Sequence, residues 1–338
     1  MKRLTFIAPD KLEWEDATRP ILQGPGEAIV RPMFMGRCDL DVLYLTGRMP
    51  LASGEPIGHE IIGRIVELGD KAAIKFKIGQ TVIVPAQINC GTCSMCLAGQ
   101  TGRCEAVPFG ASYGMGRDGN YGGAVSDFIR VPFAEAMLVP LPEDIDYSNL
   151  TGLVDMASDA WRAIGPPLTI RKGASVLVMG GGTPVIGIYA AALAECLGAS
   201  RVVYVDPSDR NRDAAARYAV DIAADLDAVP NPEFDIVVDA ANDTNRFLQA
   251  AKACGPAAWL TSVAPPFTCP DIPMMSMYHR GITYNCSRPN CRHGLEPVLK
   301  AWMDQGFRPE RIEPKIFKYE DAIEAWLDPA LYVALERQ

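Results

Sequence analysis

Between residues 175 and 285 the chain alternates strand-like and helix-like patterns, and no other feature constrains its fold as tightly. Strand-like SVLVMG runs into the Ala-rich IYAAALAECLG, followed by RVVYVD, the helical DRNRDAAARYA, FDIVVDAA and AWLTSVA. Short β-branched runs separated by helices are what a parallel, doubly wound sheet requires, because parallel strands are covered on both faces and joined by crossovers. Residues 173–194 within it carry no charge over 22 positions, long enough to span a bilayer. They hold five glycines and Pro184 and break into a β-branched run, a glycine cluster and an Ala-rich run. The stretch reads as a buried strand, turn and helix, with no membrane partner.

Residues 1–150 read differently. Short apolar runs at 27–32, 61–68, 81–85 and 128–131 are separated by Gly, Pro and Asp turns, the pattern of a β-rich domain. A helix is expected over 294–305 and a strand pair at 315–317 and 332–335, the last strand returning to the first domain. A length of 338 residues fits two domains at roughly 100–200 residues each.

The N-terminus, MKRLTFIAPDKLEWED, turns charged before an apolar core of signal-peptide length develops. Ten cysteines without such a signal point to a reducing, cytoplasmic setting, where clustered Cys means metal rather than disulfide. Cys90, Cys93, Cys96 and Cys104, spaced C-x2-C-x2-C-x7-C on a Gly-containing loop, can close a tetrahedron around Zn²⁺. An iron–sulfur cluster is the chemical alternative. Four thiolates leave no open ligand position, so this metal is structural. Lys and Arg total 32 against 41 Asp and Glu, a net charge of −9 without a dense basic run, which argues against a nucleic-acid partner.

A second motif, Gly58-His59-Glu60 followed by Gly63 and Gly69, precedes the four-cysteine loop. Taken together, GHE-x2-G-x5-G and the lobe some 30 residues on make the chain resemble the zinc-containing medium-chain alcohol/polyol dehydrogenases, over nearly its whole length. The stretch 122–128, GGAVSDF, loosely resembles that family's Gly-Gly-x-Ala-Glu-Tyr turn. The resemblance implies an α/β plus β fold, with a GroES-like catalytic domain over 1–150, a doubly wound Rossmann domain over 151–289, and a return to the catalytic domain over 290–338. It implies a catalytic zinc on Cys38, His59 and Asp155, with Glu60 beside it as an exchangeable ligand, and so two Zn²⁺ per chain. Thiolate, imidazole and carboxylate suit Zn²⁺ independently of the resemblance and leave one position for a substrate oxygen.

The dinucleotide site is read at the turn that follows VLV. Gly180, Gly182, Pro184, Val185 and Gly187 form a tight turn opening an Ala-rich helix, where backbone can approach a pyrophosphate. The usual G-x-G-x-x-G would end at Val185, and Gly187 comes two residues late, a lengthened turn. Asp206 closes the next strand, 24 residues after Gly182, where an acid can accept both ribose hydroxyls. That favours NAD over NADP, while Arg210 and Arg212 could stack on adenine or weakly tolerate the NADP phosphate.

The pattern departs from the family beside Cys38. Leu40 stands where relatives carry a proton-relaying Ser or Thr, Leu43 near the usual His, and Asp41 keeps the family Asp. Leucine cannot relay a proton, so either the register shifts here by a residue or two or the proton leaves by another route, with Asp39, Glu60, water or a second substrate hydroxyl as candidates. Asp159 stands where relatives place Thr, either widening an acidic pocket or pairing with Arg162. Cys286, Cys291 and His293 fit no structural zinc spacing and are expected to line a strand-to-helix loop. The expected activity is reversible hydride transfer between NAD and a secondary alcohol or polyol in a homotetramer or homodimer. The rival readings are a redox-neutral lyase or epimerase holding NAD tightly, and a non-catalytic dehydrogenase-like binding protein.

Overall fold

A computed structural model describes residues 1–116, 120–143, 145–268 and 271–337. It divides into two compact units: Met1–Asp155, Asn290–Leu295 and Glu313–Gln338 form the first, and Met156–Pro289 with Glu296–Ile312 the second.

The first unit is built on a seven-stranded sheet. Its spatial order is Lys315–Lys318, Val333–Glu336, Ala28–Gly36, Glu60–Leu68, Thr81–Val84 and Val139–Pro140, with Ile129–Val131 pairing on Ala28–Gly36. The central strands Ala28–Gly36 and Glu60–Leu68 run antiparallel, and Pro32 opposes Gly63 in their register. A Cβ at Gly63 would lie 2.6 Å from the Arg31 carbonyl oxygen, so the strands approach this closely only because residue 63 is glycine. Leu4, Val30, Ile61, Ile65, Val82, Val84, Tyr113, Trp326 and Leu335 fill the core beneath the sheet. The strand Lys2–Ala8 heads a separate three-stranded sheet with Lys11–Asp16 and Glu55–Pro56.

The second unit has one six-stranded sheet, all parallel, ordered Asp221–Ala223, Arg201–Val205, Ser175–Met179, Phe234–Asp239, Cys254–Ser262 and Thr283–Cys286. The chain order reverses between Ser175–Met179 and Phe234–Asp239, and in such sheets ligands bind outside the strand carboxyl ends at that switch point. The helix Pro184–Cys196 follows the first of these strands and starts on a proline, whose missing N–H costs nothing in the first turn. The helix is buried along most of its length, as its Ala-rich sequence requires. The apolar stretch that could have spanned a bilayer is thus a strand, turn and helix. Among the described residues no helix is long and apolar enough to cross a membrane.

Candidate active site and metal centres

Cys38 follows the strand Ala28–Gly36 and caps the helix Asp39–Leu45, its N–H donating to Asp41 Oδ2 at 3.0 Å. His59 precedes the strand Glu60–Leu68, and Gly58 before it has φ +83°, the left-handed turn that aims the imidazole inward. Asp155 precedes the helix Met156–Ile170. One donor atom from each of Cys38, His59 and Asp155 lies within 4.8 Å of the other two, and all three residues are buried. Asp155 Oδ2 is 3.3 Å from Cys38 Sγ and 3.4 Å from His59 Nε2. His59 is 0% exposed, yet neither ring nitrogen makes a well-formed hydrogen bond.

Polar atoms buried without partners are costly, and here they converge with a thiol and a carboxylate. The set fits a zinc ion, for which N, S and O donors at these positions are the ordinary ligands. Charges in the site are strongly coupled. Burial opposes the imidazolium, but Asp41 at 3.7 Å, Asp155 and Glu60 outweigh it and push His59 up to about 9. Burial, reinforced by Asp155, pushes the Cys38 thiol well up. A cation at the centre reverses both effects, since ligation requires a deprotonated thiolate and a neutral imidazole.

Glu60 lies beside these donors. Tyr332 donates its hydroxyl to Oε2 at 2.8 Å, and the Asp155 N–H donates to Oε1 at 3.2 Å. The Tyr332 oxygen also accepts the Gly152 N–H at 3.0 Å. A Cβ at Gly36 would collide with both the Tyr332 hydroxyl and the Glu60 carboxylate.

Leu40 packs on Ala86, Met115 and Cys291, an apolar face at the position where the resemblance implies a hydroxyl. Asp159 forms an ion pair with Arg162, the second of its two readings. Cys286, Cys291 and His293 do not gather. Cys286 is exposed at the end of its strand, and His293 sits beside Gly99. Cys291, expected on a loop, is fully buried, with its thiol 2.6 Å from Asp155 Oδ1. Cys291, Tyr332 and Gln87, which holds the Cys291 N–H, are site residues that no spacing in the sequence revealed.

In the lobe, one sulfur from each of Cys90, Cys93, Cys96 and Cys104 lies within 4.8 Å of the other three. Backbone N–H groups point at these sulfurs: Cys93 at 3.4 Å and Thr92 at 3.5 Å to Cys90, Cys90 at 3.3 Å to Cys104, and Glu105 at 3.5 Å to Cys93. Burial works against the Cys90 thiolate, but the Thr92 and Cys93 donors outweigh it and bring the thiol to about 6. The Glu105 N–H lowers the Cys93 thiol as well, whereas burial pushes Cys96 up to about 12 and Cys104 up, so holding all four as thiolates takes a bound cation in addition to the donors.

At the second unit's switch point, the turn from Gly180 is stitched to the next strand's end. Gly182 and Thr183 donate N–H to the Ala241 and Ala240 carbonyls at 2.8 and 3.0 Å. A Cβ at Gly182 would lie 2.5 Å from the Asn242 Cβ, and one at Gly187 3.2 Å from the Ala240 Cβ. Pro184 and Val185 open the helix between these two glycines. Asp206 is 0% exposed, and its carboxylate accepts from Tyr204 Oη (2.8 Å), Ser208 N–H (2.9 Å) and Asn211 Nδ2 (3.1 Å). Arg210 is exposed on the helix Asp209–Ala215, and Arg212 donates to the Asp206 carbonyl. Arg246, unremarked in the sequence, donates to the carbonyls of Gly180 and Val205 at 3.0 and 2.8 Å, at the carboxyl ends of adjacent strands.

Residues 24–143 match the alcohol dehydrogenase GroES-like domain. The chain is 29% identical over 262 residues to a glutathione-independent formaldehyde dehydrogenase of Pseudomonas aeruginosa, covering 70% of this chain and 64% of that one. It is 30% identical over 208 residues to an L-threonine 3-dehydrogenase of Streptomyces avermitilis, covering 60% and 56%. It thus spans less than two thirds of either relative's length. The alcohol dehydrogenase of Thermus sp. ATN1 superposes with a TM-score of 0.88 at 25% identity, over 100% of both chains. These matches make the chain similar to zinc-containing alcohol dehydrogenases of the medium-chain dehydrogenase/reductase type.

Proposed function

We propose that this protein is an NAD-dependent, zinc-dependent oxidoreductase that interconverts a secondary alcohol or polyol hydroxyl and its ketone. The observation that carries the reading is the buried Cys38–His59–Asp155 set with its orphaned imidazole nitrogens. Cys38, His59 and Asp155 would hold the catalytic zinc, and Cys90, Cys93, Cys96 and Cys104 a second, structural one. When bound, the catalytic zinc supplies Lewis acidity that lowers the pKa of a substrate hydroxyl. Asp41 Oδ1 faces the far nitrogen of His59 at 3.7 Å, a carboxylate charge beside the ring that favours its ligating orientation. Tyr332 and the Asp155 N–H hold Glu60 in reach of the same centre.

The nicotinamide cofactor would lie along the Gly180–Gly187 turn at the switch point, its ribose at Asp206 and its adenine near Arg210. A carboxylate at residue 206 repels a ribose phosphate, which supports NAD over NADP. Similarity to an L-threonine 3-dehydrogenase supports a secondary alcohol. The edge strand Thr283–Cys286 and the exposed Met274, Met275 and Tyr278 support a homo-oligomer, either dimer or tetramer.

The test is zinc content per chain in the wild type and in Asp155→Ala, beside nicotinamide reduction over a panel of secondary alcohols and polyols. Two zincs in the wild type, one in the variant, and activity confined to the wild type are expected. One zinc in the wild type, or two retained by the variant, would sink the assignment.

A further inference from the structure

The two oxygens of Asp155 face different worlds. Oδ2 looks at Cys38 Sγ and His59 Nε2, at 3.3 and 3.4 Å. Oδ1 receives the thiol of Cys291 at 2.6 Å. Cys291 stands outside the group of mutually close donors that Cys38, His59 and Asp155 form. It opens the helix Cys291–Asp304, and its N–H donates to Gln87 Oε1 at 3.0 Å. Gln87 is itself 1% exposed, so the anchor is buried with the residue it holds. Ala86, Met115 and Leu40 pack around the sulfur, and in so dry a setting a hydrogen bond is electrostatically stronger than in water.

We propose that Cys291 is a positioning residue for the catalytic metal: its thiol donates to Asp155 Oδ1 and thereby leaves Oδ2 as the single oxygen offered to the ion. This rests on the zinc reading above. A carboxylate can give a metal one oxygen or two, and an Asp155 that gave both would fill the position a substrate needs. Occupying Oδ1 with a donor prevents that and fixes the carboxylate plane, the work that hydrogen-bonding partners of metal ligands do. Cys291 is thus neither a ligand nor a bystander of the core. Serine at this position keeps a donor, and alanine does not.

The test uses the full-length enzyme with Cys291→Ala and Cys291→Ser, each examined for zinc release to a chelator and, after replacement by Co²⁺, for its visible spectrum. The intensity of the cobalt bands reports coordination number, and thiolate-to-cobalt bands report sulfur ligands. Cys291→Ala is expected to weaken zinc retention roughly ten- to a hundredfold and to dim the cobalt bands as coordination number rises. Cys291→Ser should restore both, and the lobe zinc should stay in place throughout. Should the alanine variant not fold, Cys291→Val fills the volume without a donor and replaces it. Wild-type retention and spectrum in the donor-less variant would overturn the proposal. So would a serine variant as damaged as alanine that has also lost a thiolate band, because Cys291 would then be a ligand. A wild type with zinc in the lobe alone overturns the metal reading itself, and is told apart by its content before any variant is made.

Discussion

Tyr332→Phe isolates one oxygen atom at the centre of the site. The ring is 1% exposed and stays in place, so no cavity opens. The lost hydroxyl serves two groups: it donates to Glu60 Oε2 at 2.8 Å and accepts the Gly152 N–H at 3.0 Å. A hydrogen bond to a charged group is worth about 1.5–3 kcal/mol, and a buried N–H left unsatisfied costs about 1–3 kcal/mol. The sum, allowing for partial relaxation, is a destabilisation of about 3 kcal/mol. Glu60 keeps the Asp155 N–H at 3.2 Å and gains freedom to turn about it. The assay is denaturant unfolding of zinc-loaded wild type, Tyr332→Phe, Glu60→Gln and the double variant, read as a thermodynamic cycle. Coupling of at least about 1 kcal/mol between the two positions is expected, as for groups in direct contact. Independent effects that simply add would refute the reasoning, because the hydroxyl and the carboxylate would then not be bonded in solution.

Asp239→Asn should change stability with pH. Burial pushes the Asp239 carboxyl up to about 6, against the pull of Ser262 and the Ala241 N–H. The folded chain therefore binds this proton more tightly than the unfolded one, whose carboxyl titrates at about 4. The stability so gained is present in full below the unfolded value and is lost as pH rises to about 6, a difference of about 3 kcal/mol. Asparagine carries no such dependence, so the variant's melting temperature should gain on wild type between about pH 4 and pH 8; parallel curves would count against it. Asp206→Ala removes a carboxylate that would meet the cofactor ribose, and the loss of one charge-assisted pair should raise KM for NAD by about tenfold or more while narrowing the gap to NADP. Initial rates with the two cofactors decide it, and an unchanged NAD KM would mean that Asp206 serves only Tyr204, Ser208 and Asn211.

Legibility in the sequence followed locality. The lobe could be read outright because its four sulfurs lie within fifteen residues on one loop, so spacing nearly equals geometry. The doubly wound sheet was equally plain, since each strand and helix carries its own apolar period. GHE-x2-G-x5-G was readable through its glycines, whose reasons now appear as the turn at Gly58 and the strand crossing at Gly63. Asp155 was reachable only through resemblance, because nothing near it in sequence is a ligand. Cys291 and Tyr332 were out of reach on physical grounds: their partners lie 136 and 272 positions away, and no local pattern encodes a contact made by tertiary packing alone. The same holds for Arg246, whose acceptor at Gly180 is 66 residues distant.

Leu40 joins these threads. Asp41 accepts the Cys38 N–H at the start of its helix, and that bond fixes the register of the segment. Leu40 lies within that turn, between Cys38 and Asp41. Its side chain closes against Ala86, Met115 and Cys291. A residue that can neither donate nor accept shuts the route a proton would otherwise take on that side of the site. Cys291 is fully buried beside it, and its thiol donates a hydrogen bond to Asp155 Oδ1. The same apolar surface thus presents a residue that cannot relay a proton and encloses the thiol that donates to Asp155.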